Sequence, residues 1–374
     1  MLTAFTFDEA LYILKHQDSD VACMFFNIAT GAVTTVSEVL DESLLPVGYK
    51  GTTGSLAVWW SHRAIPTTRE KKEELQEQLG HEPFEKYLLK SLGLSLSDTY
   101  WVCPIDKSSS LKWSDVNFFQ NSFNEKCSSA LTGAHPGYST GGDMQKTWLT
   151  DNSNNRVLVK TSDKWNHQQC INEFIVSEIW KEFSLEHTEY WVENKDCYCK
   201  VFTDERTDLV TAMQLMFTST KRNHESYLDY LCRVSGTTER EYLETILLLD
   251  FVVLNKDRHF NNVGFLLNDD GVRVAPNFDN GNSLNYDNDF QSLWSLRADH
   301  FNKWYLTQLK CIKTARADLV KAMNLSSLVG DYLLTFGISS EKVDNIIKAY
   351  KERVNLLRLF YSEKRVWKNQ KFWR

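Results

Sequence analysis

Three residues in the second half of the chain, Asp257, Asn262 and Asp279, have the types and spacing needed to hold a metal ion and move a proton. Apolar segments on both sides of residues 268–271 predict a β-hairpin over about residues 263–275. Asn262 precedes this hairpin and Asp279 follows it, so the two side chains should come close together. A carboxylate and an amide oxygen are hard ligands suited to Mg²⁺. Asp257, in a loop at the end of a buried helix, is placed to accept a proton from a nucleophilic hydroxyl.

The first half of the chain supplies candidates for binding phosphate. Gly141 and Gly142 lie in the segment STGGDMQKT, and their backbone N–H groups can approach phosphate oxygens. Lys160 ends a predicted strand, which is where protein kinases place a phosphate-binding lysine. Its carboxylate partner should lie on the next helix. We favour Glu173 there, and Glu178, on the apolar stripe of the helix, is a rival candidate.

Each of these features has an ordinary structural explanation when it is taken alone. Two adjacent glycines usually form a turn, a lysine after a strand usually lies on the surface, and the metal pair could be a surface Ca²⁺ site or no site. His259 is expected to be a buried histidine that fixes its loop by hydrogen bonds rather than a ligand. The order of the features along the chain is the kinase arrangement of base and metal ligands. It predicts an ATP-dependent phosphotransfer fold.

Local patterns predict the elements that position these residues. Strands are predicted at 21–39 (a hairpin), 145–149, 156–160, 189–192, 198–202 and 209–215. Helices are predicted at 67–79, at 83–92 and in the segment after residue 160 that carries an apolar stripe. Thr238 and Glu241 form a predicted capping box. The helix that it opens, through Leu249, is apolar on nearly every side and should be buried.

Composition excludes several classes of protein. The chain has 374 residues, so two or three domains or lobes are expected. A net charge of −7 disfavours a nucleic-acid coat protein, which needs a basic surface. The longest apolar run, 246–254, is too short to span a bilayer, and the first residues lack a secretory pattern. The eight cysteines are scattered, and only Cys197 and Cys199 lie close together, which is typical of reduced thiols in the cytosol.

The chain resembles the HipA-like serine/threonine kinases of bacteria. Four segments carry the resemblance: DRHFNN at 257–262 with Phe278-Asp279, STGGDMQKTW at 139–148 as the phosphate loop, Asn172-Glu173 at the start of the third helix, and the strand to the adenine hinge at 199–202. The similarity covers about residues 128–300. Residues 95–102, with 113–119, resemble a subgroup of HipA-like proteins. The first 90 residues add no functional information by this route.

The resemblance implies an α+β, bilobal, protein-kinase-like fold with a β-rich N-lobe and a mostly helical C-lobe. The implied units are a small N-terminal α/β subdomain (1–95), a nucleotide-binding N-lobe (96–205) and a catalytic C-lobe (206–374). Asp257 would be the catalytic base, and Asn262 and Asp279 would be Mg²⁺ ligands. The residues implied in binding ATP are Ser139, Gly141, Gly142, Lys146, Lys160, Glu173 and Phe202.

Two regions depart from the common kinase pattern. The eukaryotic Gly-x-Gly-x-x-Gly motif is absent, as it often is in this family, and Asn255-Lys256-Asp257 stands where His-Arg-Asp is found. Asp143 lies in the loop near the phosphates, where a negative charge is unfavourable.

Ser139 matches the loop serine whose autophosphorylation shuts down HipA. The family often acts as the toxin of a toxin–antitoxin pair that phosphorylates a translation component.

Two other functions compete with a protein kinase. Phosphoinositide kinases share the Asp-Arg-His-x-x-Asn pattern before a hairpin, but an acidic chain without a basic amphipathic helix suits an anionic membrane poorly. An inactive nucleotide-binding interaction module is the other alternative. We expect a cytoplasmic protein with a protein substrate and an antitoxin as candidate partner, and with no direct contact to nucleic acid or membrane.

Overall fold

A computed structural model provides the structure of the chain. It describes residues 8–66, 71–78, 80–123, 135–140, 144–162, 164–287, 297–300, 303–304, 312 and 324–362. The α-helices and β-strands are numbered below in chain order.

An antiparallel sheet of four strands forms the N-terminal part, in the spatial order β3-β2-β1-β4. Its strands are β1 (Glu9–His16), β2 (Ser19–Asn27), β3 (Val33–Val39) and β4 (Tyr100–Pro104). The hairpin predicted at 21–39 is confirmed as β2 and β3. Gly31 lies in its turn with φ +77°, and a Cβ there would be 2.2 Å from the carbonyl oxygen of Glu85, so only glycine fits.

Three helices accompany this sheet: α1 (Thr53–Arg63), α2 (Lys72–Gln78) and α3 (Phe84–Lys90). Apolar side chains of α1 and α3, among them Trp60 and Leu88, pack with Leu14 and Phe26 of the sheet in one buried cluster. The two predicted helices in this region are confirmed with shorter bounds, and residues 67–70 and 79 of the first lie outside the described residues. The short helix α4 (Trp113–Val116) follows β4.

A second antiparallel sheet carries the predicted lysine. Its strands, in the order β5-β6-β8-β7, are β5 (Gln145–Thr150), β6 (Arg156–Thr161), β7 (Tyr190–Glu193) and β8 (Asp196–Lys200). Lys146 and Lys160 are directly opposed across β5 and β6. Such opposed residues extend from the same face of a sheet. Helix α5 (Gln168–Glu182) lies between β6 and β7 in the chain, and the predicted strands and helix here are confirmed.

A mostly helical region follows. It contains β9 (Asp208–Thr211), α6 (Ala212–Met216), α7 (Tyr227–Ser235), α8 (Arg240–Val253), β10 (Gly264–Asn268), β11 (Gly271–Val274), β12 (Arg297–His300), β13 (Lys303–Trp304), α9 (Ser326–Thr335) and α10 (Ser340–Ser362). Strands β9, β10 and β11 form a three-stranded sheet, and the predicted hairpin is confirmed as β10 and β11. The largest apolar cluster lies among α5, α7, α8, α9 and α10.

Two local predictions for this region are wrong. The segment 209–215 is a strand only to Thr211, because the Thr211 hydroxyl and the Gln214 side chain cap the start of α6 there. The capping box at Thr238 does not form, since α8 begins after Glu239, whose side chain makes no capping hydrogen bond. The burial of α8 is confirmed: every residue from 243 to 253 is buried.

The N-terminal sheet is attached to the segment that joins the second sheet to the helical region. Thr203 Oγ1 donates to the carbonyl oxygen of Leu96 at 2.5 Å, and the Leu209 amide donates to that of Ser97 at 2.7 Å. Asp208 accepts hydrogen bonds from His16 at 2.7 Å and from the Thr99 amide at 2.7 Å. Strand β4, residues 100–104, belongs to the same sheet as β1, β2 and β3. The division of the chain into three units at residues 95 and 205 stays a prediction.

Two findings concern membrane-spanning helices and cysteine pairing. Among the helices of the described residues, none is long and apolar enough to cross a bilayer. Cys170, Cys197 and Cys199 are buried free thiols.

Candidate active site

Lys160 is the centre of a buried polar cluster. Its Nζ donates hydrogen bonds to Glu173 Oε1, to Asp279 Oδ1 at 2.9 Å and to Tyr190 Oη at 3.3 Å. The side chain of Glu173 is fully buried and that of Lys160 is 3% exposed. Glu178, the rival candidate, instead contacts Lys181 and Tyr332. The structure therefore pairs the strand lysine with Glu173 and adds Asp279 from the distant loop.

The charges in this cluster shift one another's pKa values. Burial lowers the pKa of Lys160, but Asp279 and Glu173 outweigh that effect and raise it well above its usual value. Burial raises the pKa of Asp279, but Lys160 and Lys146 bring it well below its usual range. Burial raises the pKa of Glu173, and Lys160 opposes that shift. Asp279 is therefore held as a carboxylate and Lys160 as an ammonium at neutral pH.

Helix α5 holds the loop that carries Asp279. The second oxygen of Glu173, Oε2, accepts a hydrogen bond from the Asn280 amide at 2.7 Å. The Nδ2 of Asn172 donates to the carbonyl oxygens of Gly281 and Ser283 at 3.0 and 2.6 Å. Asp279 itself has φ +60°, a left-handed conformation that L-residues rarely adopt. The contacts from α5 stabilise this turn and keep Asp279 against Lys160.

Arg258 organises the loop after α8, and the sequence did not reveal it. It is fully buried and donates to both carboxylate oxygens of Asp250, at 2.9 and 3.1 Å. It also donates at 2.7 Å to the carbonyl oxygens of Asn262 and Phe278, and at 2.6 Å to Asn280 Oδ1. One guanidinium thus connects the end of α8 to both ends of the β10–β11 hairpin. The available signal was Asp250, a carboxylate inside a buried apolar helix that requires a cationic partner.

Asp257, the predicted base, lies beside this loop with its side chain 37% exposed. Its Oδ2 accepts a hydrogen bond from Asn282 Nδ2 at 2.9 Å, and its carbonyl oxygen accepts one from Asn262 Nδ2 at 2.9 Å. Burial raises the pKa of Asp257, Asp279 raises it further, and His259 lowers it. The prediction that His259 is buried and fixes the loop is wrong. Its side chain is 44% exposed, and Arg258 makes the fixing contacts.

Arg258 joins the two backbone segments that carry the predicted metal ligands, Asn262 and Asp279. The carbonyl oxygens of Asn262 and Phe278 accept hydrogen bonds from the same guanidinium nitrogen, which places Asn262 next to the residue before Asp279. In the described part of the chain, no hydrogen bond to Asn262 Oδ1 or Asp279 Oδ2 is formed. No group of three or more His, Cys, Asp or Glu side chains there is arranged to hold a metal. The predicted donor set is one carboxylate and one amide oxygen, and its use by a metal stays a prediction.

The remaining predicted nucleotide contacts are placed as follows. Gly141 and Gly142 lie outside the described residues. Ser139 ends a short 3₁₀ turn, and its hydroxyl donates to the carbonyl oxygens of Leu94 at 2.8 Å and Pro136 at 3.1 Å. Lys146 is close enough to lower the pKa of Asp279. Phe202 stacks on the ring of Phe278, with centroids 5.7 Å apart.

Comparisons with known proteins identify the family of the chain. The model of the HipA-like C-terminal domain matches residues 138–355, which is more than half of the chain. A search of curated proteins found no match.

Two solved structures are similar to this chain. One is the HipA toxin–antitoxin complex with HipB and operator DNA from Shewanella oneidensis, at 13% identity and a TM-score of 0.52, over 94% of this chain and 97% of that one. The other is the proinflammatory kinase CtkA of Helicobacter pylori, at 19% identity and a TM-score of 0.41, over 59% of this chain and 92% of that one. The expected α+β, HipA-like fold is confirmed. The chain belongs to the family defined by the HipA-like C-terminal domain.

Proposed function

We propose that the chain is an ATP- and Mg²⁺-dependent serine/threonine protein kinase of the HipA type that acts in the cytoplasm. The observation that carries the proposal is the position of Lys160, whose ammonium contacts Glu173 and Asp279 at once. A lysine paired with a helix glutamate and placed beside a metal-binding aspartate is the arrangement that positions ATP phosphates in kinases.

The residues present fit a magnesium ion. Mg²⁺ prefers oxygen ligands and is usually bound by one or two carboxylates together with substrate phosphates. Asp279 Oδ2 and Asn262 Oδ1 are such ligands, and the depressed pKa of Asp279 keeps it ionised. The ion would neutralise charge on the phosphates. Lys160 and Lys146, on the same face of the sheet, would bind phosphate oxygens from the other side.

Asp257 would act as the base. Its side chain is partly exposed, so the hydroxyl of a protein substrate can reach it, and Oδ1 makes no hydrogen bond to another described residue. Its raised pKa strengthens the carboxylate as a proton acceptor. The carboxylate would take the hydroxyl proton as the hydroxyl oxygen bonds to the γ-phosphorus of ATP, while the bond from that phosphorus to the bridging oxygen breaks and ADP leaves. Phe202, stacked on Phe278, would form part of the adenine side of the cleft.

Ser139 would be the site of autophosphorylation that turns the enzyme off. Its hydroxyl donates to the carbonyl oxygen of Leu94, which tethers the turn 136–139 to that residue, and to that of Pro136 within the turn. Phosphorylation requires that both bonds break. A phosphate adds a charge of roughly −1.5 to −2 at pH 7. That charge would repel the ATP phosphates and draw the loop toward basic groups. ATP binding would weaken by either route.

The proposed biological role is that of a toxin that phosphorylates a translation component and is neutralised by an antitoxin. The structurally similar HipA chain is in a complex with HipB and operator DNA. An antitoxin partner for this chain is proposed by analogy with that complex. The expectation of no direct contact with nucleic acid rests on the net charge of −7 and stays a prediction.

The test uses [γ-³²P]ATP and Mg²⁺ with the full chain alone, with a bacterial lysate and with phosphoinositide vesicles, each with an EDTA control. Label on Ser or Thr of a protein, lost in EDTA, supports the proposal. Label in the vesicles supports the lipid kinase instead, and absence of label in every sample supports the inactive module. The antitoxin is tested with a lysate from cells that express any small helix-turn-helix protein encoded by the reading frame just upstream of that of this chain. Such an antitoxin should suppress the label.

A further inference from the structure

A chain of buried and partly buried side-chain hydrogen bonds connects the second sheet to the proposed base. Ser162 Oγ, just after β6, donates to Gln169 Oε1 at 2.8 Å. Gln169 Nε2, in the first turn of α5, donates to Asn282 Oδ1 at 2.6 Å. Asn282 Nδ2 then donates to Asp257 Oδ2 at 2.9 Å. Four side chains from four separate segments are joined in this way.

The direction of every hydrogen bond in this chain follows from its last acceptor. An ionised carboxylate only accepts, so Asn282 must present its Nδ2 to Asp257 and its Oδ1 to Gln169. Gln169 must then donate with Nε2, which leaves its Oε1 to accept from Ser162. All donors point toward Asp257, and hydrogen bonds that run in one direction polarise one another. Ser162 is 1% exposed and Gln169 is 9% exposed, so water competes little for these groups.

The backbone also holds Asn282 in place. Its carbonyl oxygen accepts a hydrogen bond from the Lys256 amide at 3.0 Å, next to Asp257. A Cβ on Gly281 would be 3.1 Å from the carbonyl oxygen of Gln169, so the glycine lets the loop lie close against α5. Gln169 and Glu173 are four residues apart and therefore share one face of α5. The same helix face thus contacts Lys160 through Glu173 and Asp257 through Gln169 and Asn282.

We propose that Asn282 and Gln169 are positioning residues that aim the Asp257 carboxylate at the substrate hydroxyl and make its orientation depend on the placement of α5. The inference rests on the proposed kinase function. Neither residue is among the proposed contacts to ATP or substrate, so both act through Asp257. A displacement of α5 would break the Lys160–Glu173 pair and misdirect the base together.

The test compares phosphotransfer from [γ-³²P]ATP by the wild-type chain with that by Asn282→Asp, Asn282→Ala and Gln169→Met. Asn282→Asp has the same shape and keeps the acceptor for Gln169, but it replaces the donor to Asp257 with a carboxylate. We expect kcat to fall by about 10- to 100-fold, the cost of a misplaced catalytic group, with KM for ATP within about twofold. The matched control is Gln168→Met, since Gln168 is an adjacent buried glutamine that donates to the carbonyl oxygen of Leu284 at 3.1 Å. Its kcat should stay near the wild-type value.

A double-mutant cycle separates positioning from general structural damage. If Gln169 acts through Asn282, then Gln169→Met combined with Asn282→Ala should have the same kcat as Asn282→Ala alone. Neither change should lower the residual activity of Asp257→Asn further. Three results would overturn the inference: additive losses of kcat in the double variant, an equal loss of kcat in Gln168→Met, or a wild-type kcat in Asn282→Asp. The proposed kinase function would still stand in each case, because the wild-type chain transfers phosphate. A wild-type chain that transfers no phosphate would overturn the proposed function itself.

Discussion

Replacement of Arg258 by methionine should destabilise the catalytic region by about 3–5 kcal/mol, the usual cost of removing one partner of a buried ion pair. The guanidinium is fully buried and makes five hydrogen bonds. At roughly 1.5–3 kcal/mol for each hydrogen bond to a charged group, a simple sum would exceed this figure. Desolvation of the two ions costs several kcal/mol each and offsets most of that sum. What remains in Arg258→Met is a carboxylate, Asp250, that is 2% exposed and has lost its two hydrogen bonds from Arg258.

A double variant separates stability from function. Arg258→Met combined with Asp250→Leu removes both charges, and replacement of a buried ion pair by apolar residues is often neutral for stability. We expect this variant to recover most of the lost stability. It should not recover Mg²⁺-dependent ATP binding, because the carbonyl oxygens of Asn262 and Phe278 still lack their shared donor.

Hydrogen–deuterium exchange of α8 and of the β10–β11 hairpin is the appropriate assay, since it reports the opening free energy of these segments within a large chain. Lys181→Met serves as a control, because its exposed ion pair with Glu178 should contribute little. A loss of less than about 1 kcal/mol in Arg258→Met would show that the guanidinium is not essential to the loop. Full ATP binding by the double variant would refute the role assigned to the two carbonyl contacts.

Three further predictions concern the metal, the loop serine and the attachment of the N-terminal sheet. Asp279→Ala should abolish the effect of Mg²⁺ on ATP binding, and calorimetry that gives the same wild-type affinity with and without EDTA would contradict the metal site. Ser139→Asp should weaken ATP binding by about tenfold or more, because a carboxylate cannot donate hydrogen bonds to the two carbonyl oxygens and repels phosphate. Ser139→Ala is the control. Unchanged ATP affinity in Ser139→Asp, with phosphate mapped only to other residues, would contradict the proposed switch. Burial lowers the pKa of His16, but Asp208 outweighs burial, so the pKa is raised. The contribution of the His16–Asp208 pair to the free energy of unfolding is therefore complete below about pH 6.5, and it is lost as pH rises through the raised pKa. Urea unfolding of His16→Gln should lack this pH dependence, and a wild-type profile with the opposite slope would contradict it.

Elements whose structure is set by residues close together along the chain could be predicted from the sequence. The β2–β3 and β10–β11 hairpins have turn residues between apolar strands, and α8 has an apolar surface all round, so local patterns sufficed. The pairing of β1 with β4 was not predicted, because it joins segments more than 80 residues apart in the chain. The switch from strand to helix at Thr211 was missed, since its cap depends on two side-chain contacts with Gln214.

The candidate site shows the same division. Lys160, Glu173, Asp257, Asn262 and Asp279 could be proposed because their types and order along the chain match a known chemistry. Arg258 was missed because a loop arginine is usually exposed, although Asp250 in a buried helix required such a partner. Gln169 and Asn282 have no sequence signature, since a buried amide becomes recognisable only when its two neighbours are known.

The most direct test of the central claim is single-turnover phosphotransfer from [γ-³²P]ATP by the wild-type chain and by Asp257→Asn, with MgATP affinity measured for both. A positioned base contributes roughly 10²–10⁴-fold to the rate. We therefore expect Asp257→Asn to bind MgATP within about twofold of wild type and to transfer phosphate about 10²–10⁴ times more slowly. Equal transfer rates in the two proteins, or no transfer by the wild-type chain, would contradict the account.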